Sequence, residues 1–308
     1  MIDRANLLTE QRLPESMSLD EMSPLEIVEL MGVQDRRAVE AVKEIAPDIA
    51  RAAEVIIARF ARKGRLIYVG AGSSGRLGVL DASECPPTFR SDPDQVIGVI
   101  AGGREAMFRA QEGCEDNFIS GGETVSELGV SECDVVCGIA AGGTTPFVHG
   151  ALAEAKKRGA ATIFVTCVDR FETEPDYDIT LRALVGPEVL TGSTRLKAGT
   201  ATKLILNQLT TVAMVRSGKC YENLMVDLKA SNAKLRDRAA RVISTICGIE
   251  KDDSLDLLDR ADGHVKVAVV MQRRGCSREN AIRRLAEADG SLRRAINDDT
   301  PHPPTKPA

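Results

Sequence analysis

Short, uninterrupted apolar runs separated by stretches of helical periodicity make up most of the chain as far as about residue 217. Leu66 to Val69, Val96 to Ala101, Asp134 to Ala140 and Thr162 to Cys167 read as strands covered on both faces, with Ile179 to Val185 as a weaker fifth. Helical patterns fall between and around them. Pro146 to Arg158 is one, and a long helix is predicted from about Ser193 to Ser217. Upstream, Val39, Val42, Ile45, Ile49, Ala53, Ile56, Ile57 and Phe60 recur at helical spacing, with Pro47 as a break, and are expected to pack on the sheet or on a second subunit. Ser23-Pro24-Leu25-Glu26 reads as a capping box opening a short helix, after a polar, extended Leu7 to Asp20. Beyond Asn232 strand signals stop, and Ala233–Cys247, Ser254–Ala261, Val265–Arg273, Arg278–Ala286 and a last turn at Leu292–Ile296 follow.

Strands alternating with helices imply an α/β fold: a parallel sheet flanked by helices, with a small C-terminal helical bundle. The expected division is an N-terminal extension over 1–35, the sheet domain over 36–232, the helical subdomain over 233–297, and a disordered tail over 298–308.

The run Leu66 to Val69 enters Gly70-Ala71-Gly72-Ser73-Ser74-Gly75, a glycine-rich turn opening a helix. Glycines permit positive φ and close approach of a ligand to the backbone. Free N–H groups at a helix start, with the hydroxyls of Ser73 and Ser74, suit an anion. A phosphorylated small molecule is the first reading. Gly70, Gly72 and Gly75 also match dinucleotide spacing, although no acidic residue closes a second strand about twenty residues on, and a purely structural strand–turn–helix stays open as well. Ala140-Ala141-Gly142-Gly143-Thr144-Thr145-Pro146 repeats the plan, so Gly142, Gly143, Thr144 and Thr145 are candidates to hold the same ligand from a second side, or merely to cap a helix.

Composition narrows the partners. With 40 Lys+Arg against 45 Asp+Glu there is no basic surplus to hold nucleic acid or an acidic membrane. No apolar run is long enough to span a bilayer and the first residues lack a signal-peptide core, so a cytoplasmic protein is expected. Eight scattered cysteines and three distant histidines suggest neither a disulfide framework nor a metal site.

Glu84 ends the helix after the glycine turn, just before Pro86 and Pro87, which are expected to turn the chain sharply; its carboxylate either points into the ligand region or is solvated, as a lone Glu at a helix end usually is. Glu112 and Glu115 flank Gly113 and Cys114. A neutral and an ionised carboxyl together supply acid and base without metal or cofactor. Ser193, Arg195 and Lys197 surround a helix start, where cations oppose the dipole: either Arg195 or Lys197 meets a negative ligand group, or both side chains are simply solvated. His149, one turn into its helix, reads as a packing residue.

The stretch from Gly70 through Leu77-Gly78-Val79-Leu80-Asp81-Ala82-Ser83-Glu84-Cys85-Pro86-Pro87-Thr88 strongly resembles the signature of N-acetylmuramic acid 6-phosphate etherases, members of the sugar isomerase (SIS) domain superfamily. Leu8-Thr9-Glu10-Gln11-Arg12, Ile100-Ala101-Gly102-Gly103, Glu112 to Asp116, Gly192 to Ala201 and Asn223 to Asp227 add to the resemblance, which runs from about Leu8 to Ile296. It implies a flavodoxin-like SIS sandwich with a ubiquitin-associated-like helical bundle, and a homodimer with the site near the subunit boundary. The implied reaction needs no cofactor: a base takes the C2 proton of the open-chain sugar, D-lactate leaves from C3 with help from an acid, and water adds. The resemblance gives Glu84 as the acid and Glu115 as the base, with Gly72, Ser73, Ser74, Gly75, the second loop, Ser193 and Lys197 around the phosphosugar. Where that family usually has Ala-Ser-Gly-Arg-Thr-Pro this chain has Ala141 to Pro146, without the serine and arginine, which implies a loss of about 1–3 kcal/mol of anion binding or a different sugar. A sugar-phosphate-sensing regulator and an aldose–ketose isomerase are the alternatives.

Overall fold

The computed structural model describes residues 7–228 and 232–297, so the tail expected over 298–308 lies outside the described residues. By packing the chain divides into two units. Met1–Glu84 joins Asp92–Ala213 in one, and Cys85–Ser91 joins Met214–Ala308 in the other.

In the first unit, strands β1 (Leu66–Gly70), β2 (Val96–Ile100), β3 (Val135–Ile139), β4 (Ala161–Thr166) and β5 (Ile179–Arg182) form one sheet in the order β2-β1-β3-β4-β5. Every pairing is parallel. Strands β1, β3 and β4 are buried throughout, which is why they read as unbroken apolar runs rather than alternating ones. The order reverses between β1 and β3, where Gly70 stands beside Ile139. Their following loops therefore lie side by side at the topological switch point, the usual ligand position of such sheets.

Helices α1 (Pro24–Glu44) and α2 (Ala46–Ala61) precede the sheet. The capping box forms, with Ser23 N–H donating to Glu26 Oε2 at 2.7 Å, but α1 is far longer than the short helix expected. Val42, Ile49, Ala53, Ile56 and Phe60 are buried, while Val39 stays 55% exposed. The segment before α1 is not extended: turns of 3-10 helix at Leu8–Glu10 and Pro14–Ser16 hold it, because Thr9 and Leu13 are drawn into the interior. The helix after β1, α3, runs from Gly72 to Phe89 straight through Pro86 and Pro87. Proline inside a helix normally costs about 3 kcal/mol. Here burial of Cys85 and Phe89 on either side of the pair outweighs the local preference to turn. A short α4 (Gly103–Ala106) and α5 (Phe118–Glu127) follow β2, α6 (Pro146–Lys157) follows β3, and α7 (Lys197–Met214) closes the unit.

The second unit opens with a π-turn, Val215–Lys219, and a two-stranded hairpin, β6 (Cys220–Tyr221) with β7 (Leu224–Met225), that the hydrophobic pattern does not announce. Five helices follow: α8 (Ala233–Cys247), α9 (Lys251–Arg260), α10 (Val265–Arg274), α11 (Arg278–Glu287) and α12 (Leu292–Ala295). Their core gathers Val226, Leu228, Ile243, Leu258, Val269 and Leu292. Lys266 is buried in it and donates to Asp227 Oδ2 at 2.6 Å and to the Gly290 carbonyl at 2.8 Å. Among the described residues no helix is long and apolar enough to cross a membrane.

Candidate functional site

The turn after β1 is made by backbone lying on backbone. A Cβ on Gly70 would stand 2.7 Å from the Gly75 nitrogen, and one on Gly75 would stand 2.8 Å from the Gly70 oxygen. Gly72 has φ of 51°, with open space beside it. Ser73 and Ser74, half-buried, start α3. Arg76, one turn later, donates from Nη2 to the Ala106 carbonyl at 2.7 Å and from Nε to that of Met107 at 3.1 Å. These bonds hold the segment after β2 against the glycine turn. Gly102 completes the fit, since its φ of 83° and lack of a Cβ admit Cys114 Sγ and Gln111.

A cavity of about 330 Å³ results, lined by Ala71, Gly72, Arg76, Glu112 and Glu115 among others. Glu115 stands on a 3-10 turn, Cys114–Asp116, entered through Gly113 with φ of 76°. Thus the structure brings Glu115, Glu112 and the first loop together. Glu84 is not among the residues lining this cavity. It is exposed on α3, twelve residues beyond Gly72, which at 1.5 Å per residue is about 18 Å along the axis.

The anchor of α3 is Asp81, one turn before Glu84. Its buried carboxylate accepts from Tyr68 Oη at 2.9 Å, Asn207 Nδ2 at 2.6 Å and Thr210 Oγ1 at 3.3 Å, tying α3 to β1 and α7. Burial raises its pKa above the ordinary aspartate value, against the lowering by these bonds. Asp81 stands in the motif but offers no sequence signal of this role.

The loop after β3 is shaped from behind by side chains. Gly143 has φ of 74°, and a Cβ there would stand 2.8 Å from Val168 Cγ2 and 3.3 Å from Phe171 and Thr166. The Ala141 carbonyl accepts from Thr166 Oγ1 at 3.3 Å and from the Cys167 amide at 2.9 Å. Thr145 occupies the N-cap position of α6, yet its side chain makes no cap hydrogen bond. Gly142 has ordinary φ and room beside it, its nearest neighbour being Thr9 Oγ1 at 3.7 Å from an ideal Cβ. Thr9 is fully buried, and its hydroxyl has no hydrogen-bond partner. The Thr9 carbonyl accepts from the Gly192 amide at 3.2 Å, so the N-terminal motif bridges the second loop and the turn before Ser193.

That third region differs from expectation. The negative group meeting the cations is internal: Glu188, fully buried, accepts from the Lys197 and Ala198 amides at 3.0 and 2.9 Å and so caps α7. Burial raises the Glu188 pKa. Lys197, 1% exposed, donates to Gln34 Oε1 at 2.7 Å, which places its ammonium inside the protein rather than toward a ligand. Burial lowers the Lys197 pKa. Ser193 remains half-buried in the turn.

His149 packs as expected, against Phe164 and Tyr177, and also makes two hydrogen bonds that the sequence does not foreshadow. Its Nε2 lies 2.8 Å from the Gly143 carbonyl and its Nδ1 2.5 Å from Tyr177 Oη. Burial lowers its pKa, keeping the ring neutral.

Residues 48–156 match the family described as the glucokinase regulatory protein N-terminal SIS domain. The chain is 50% identical over 295 residues to the N-acetylmuramic acid 6-phosphate etherase of Salinibacter ruber, spanning 96% of this chain and 95% of that one. It is 54% identical over 269 residues to the etherase of Gloeobacter violaceus, spanning 87% and 88%. Among solved structures, a phosphoheptose isomerase from Francisella tularensis aligns with TM-score 0.46 and 20% identity over 65% of this chain and 99% of that one.

Proposed function

The chain belongs to the N-acetylmuramic acid 6-phosphate etherase family, and on that premise we infer that it is a carbon–oxygen lyase acting on the D-lactyl ether of N-acetylmuramic acid 6-phosphate. The products are N-acetylglucosamine 6-phosphate and D-lactate. Identity of 50% to an etherase over 96% of the chain carries this reading, and the cavity that Glu115 lines together with Gly72 is in keeping with it.

Ser73, Ser74 and the amides of the first loop hold the 6-phosphate from one side, and Gly142 to Thr145 from the other. Glu115, beside the first loop, is the base at C2, and Glu84 is the acid for the departing lactate. Lys197 gives its ammonium to Gln34 and its backbone amide to Glu188 instead of reaching the sugar. Because Glu84 lies about 18 Å along α3 from the loop that Glu115 faces, the pair is completed by a second copy, with Glu84 of one subunit serving the other. Apolar residues left uncovered on α1, Leu25, Val28, Val33 and Val39, support a homodimer. The scattering of eight cysteines along the chain supports a reducing, cytoplasmic setting.

D-lactate release from N-acetylmuramic acid 6-phosphate tests the activity, and no release above background refutes it. Glu84→Gln and Glu115→Gln should each lower kcat by about 10²-fold or more. Mixing the two inactive variants tests the shared site. Mixed dimers should restore roughly a quarter of wild-type activity, one intact site in each of the half of dimers that are mixed. No recovery after subunit exchange rejects the cross-subunit pairing.

A further inference from the structure

We propose that His149 is a positioning residue for the second loop, fixing the Gly143 carbonyl through a proton held on Nε2 so that the loop's amides stay turned toward the substrate's phosphate. The inference rests on the reading of Gly142 to Thr145 as a phosphate-holding loop.

The tautomer follows from the partners. A backbone carbonyl can only accept, so the nitrogen 2.8 Å from Gly143 O carries the hydrogen. Nδ1 then has a lone pair, and the group 2.5 Å away, Tyr177 Oη, is the donor that fills it. Tyr177 thereby selects the ring form that can hold Gly143. The ring itself is clamped: Phe164 stands 5.5 Å from it in a tilted contact and Tyr177 6.2 Å away in a stacked one. Behind them Glu174, almost fully buried, is paired with Arg182, which also donates to the Val168 carbonyl at 2.6 Å. Val168 is the residue that Gly143 packs against.

Gly143 needs such a hold. With no Cβ to restrict it, Gly143 leaves the peptide after it free to rotate unless its carbonyl is pinned, and rotation would redirect the amide of Thr144. His149 sits on α6, the helix this loop feeds, so the bond closes the loop back onto its own helix. The charged and titratable groups facing the ring are Tyr177 and Glu174, the latter neutralised by Arg182.

Steady-state kinetics on N-acetylmuramic acid 6-phosphate, with a thermal melt of each protein, test the assignment. His149→Phe keeps a flat ring without the donor and should raise KM about fivefold with kcat within about twofold. His149→Gln, whose amide reaches the same carbonyl, should restore most of the affinity. Tyr177→Phe should raise KM about twofold by releasing the tautomer. An unchanged KM in His149→Phe, an equal loss in kcat and kcat/KM, or failure of Gln to restore binding overturns the proposal. Should the Phe variant not fold, the Gln and Tyr177→Phe variants decide on the same criteria. If wild type turns over and His149→Phe matches it, this inference fails while the etherase reading stands. If wild type is inert, the etherase reading fails and protection by inorganic phosphate becomes the readout: protection lost in His149→Phe sustains the inference, and protection kept or absent in both overturns it.

Discussion

The loops after β1 and β3 occupy equivalent places at the ends of neighbouring strands and are held in shape by different means. The first is closed by main chain packed on main chain, Gly70 against Gly75, and could not form with any side chain there. The second is closed by side chains from elsewhere in sequence, Thr166, Val168, His149 and Tyr177. Spacing of glycines writes the first arrangement into a few consecutive residues. The second depends on groups as far apart as Gly143 and Tyr177, so its shape can drift residue by residue while the fold persists.

The largest expected effect follows from the first arrangement. Gly70→Ala places a methyl 2.7 Å from the Gly75 nitrogen and 2.9 Å from its Cα, and neither backbone atom can swing aside. Destabilisation of about 3 kcal/mol or more is expected, read as a lower urea midpoint, with lactate release abolished. If Gly70→Ala melts like wild type, the first loop is not main-chain limited and the contrast with the second disappears.

The same difference explains what was legible in the sequence. Buried parallel strands announce themselves as apolar runs, and the glycine motif marks its own turn, so the sheet and the turn at Gly72 to Gly75 are legible in the sequence. The relation of Glu115 to that turn could not, because it depends on Gly102 and Arg76 drawing a separate segment close. Lys197 misled for a related reason: cations at a helix start imply a nearby anion, and the anion is Glu188, nine residues upstream and buried. The paired prolines misled because local geometry favours a turn, whereas the burial of Cys85 and Phe89 that keeps α3 helical is a property of the whole fold.

A smaller effect distinguishes side-chain closure by its pH dependence. Burial holds the folded-state pKa of His149 below the ordinary 6.5, so the unfolded chain takes up the proton first as pH falls. The stability this neutral ring contributes is complete above 6.5 and is lost as pH drops from there through the lower folded value. Phenylalanine does not titrate. The gap in unfolding free energy between wild type and His149→Phe should therefore narrow between pH 7.5 and pH 5, with Tyr177 and the Glu174–Arg182 pair facing the ring in both proteins. A gap constant over that range means the ring contributes by shape alone.

The smallest effect lies where the second loop has been left loose. Thr9 Oγ1 is buried without a partner, 3.7 Å from where a Cβ on Gly142 would stand, and Gly142 already has a φ that any residue accepts. Gly142→Ser places a hydroxyl within reach of the orphan one and removes freedom from the unfolded chain. Together these should stabilise the protein by about 0.5–1.5 kcal/mol, seen as a Tm raised by a few degrees. The sign is the informative part. A side chain added at Gly70 breaks the first loop, whereas one added at Gly142 mends the second, because Gly142 has space beside it and a polar group waiting there. A lower Tm for Gly142→Ser means that the gap beside Thr9 is filled by something the loop needs more than a serine.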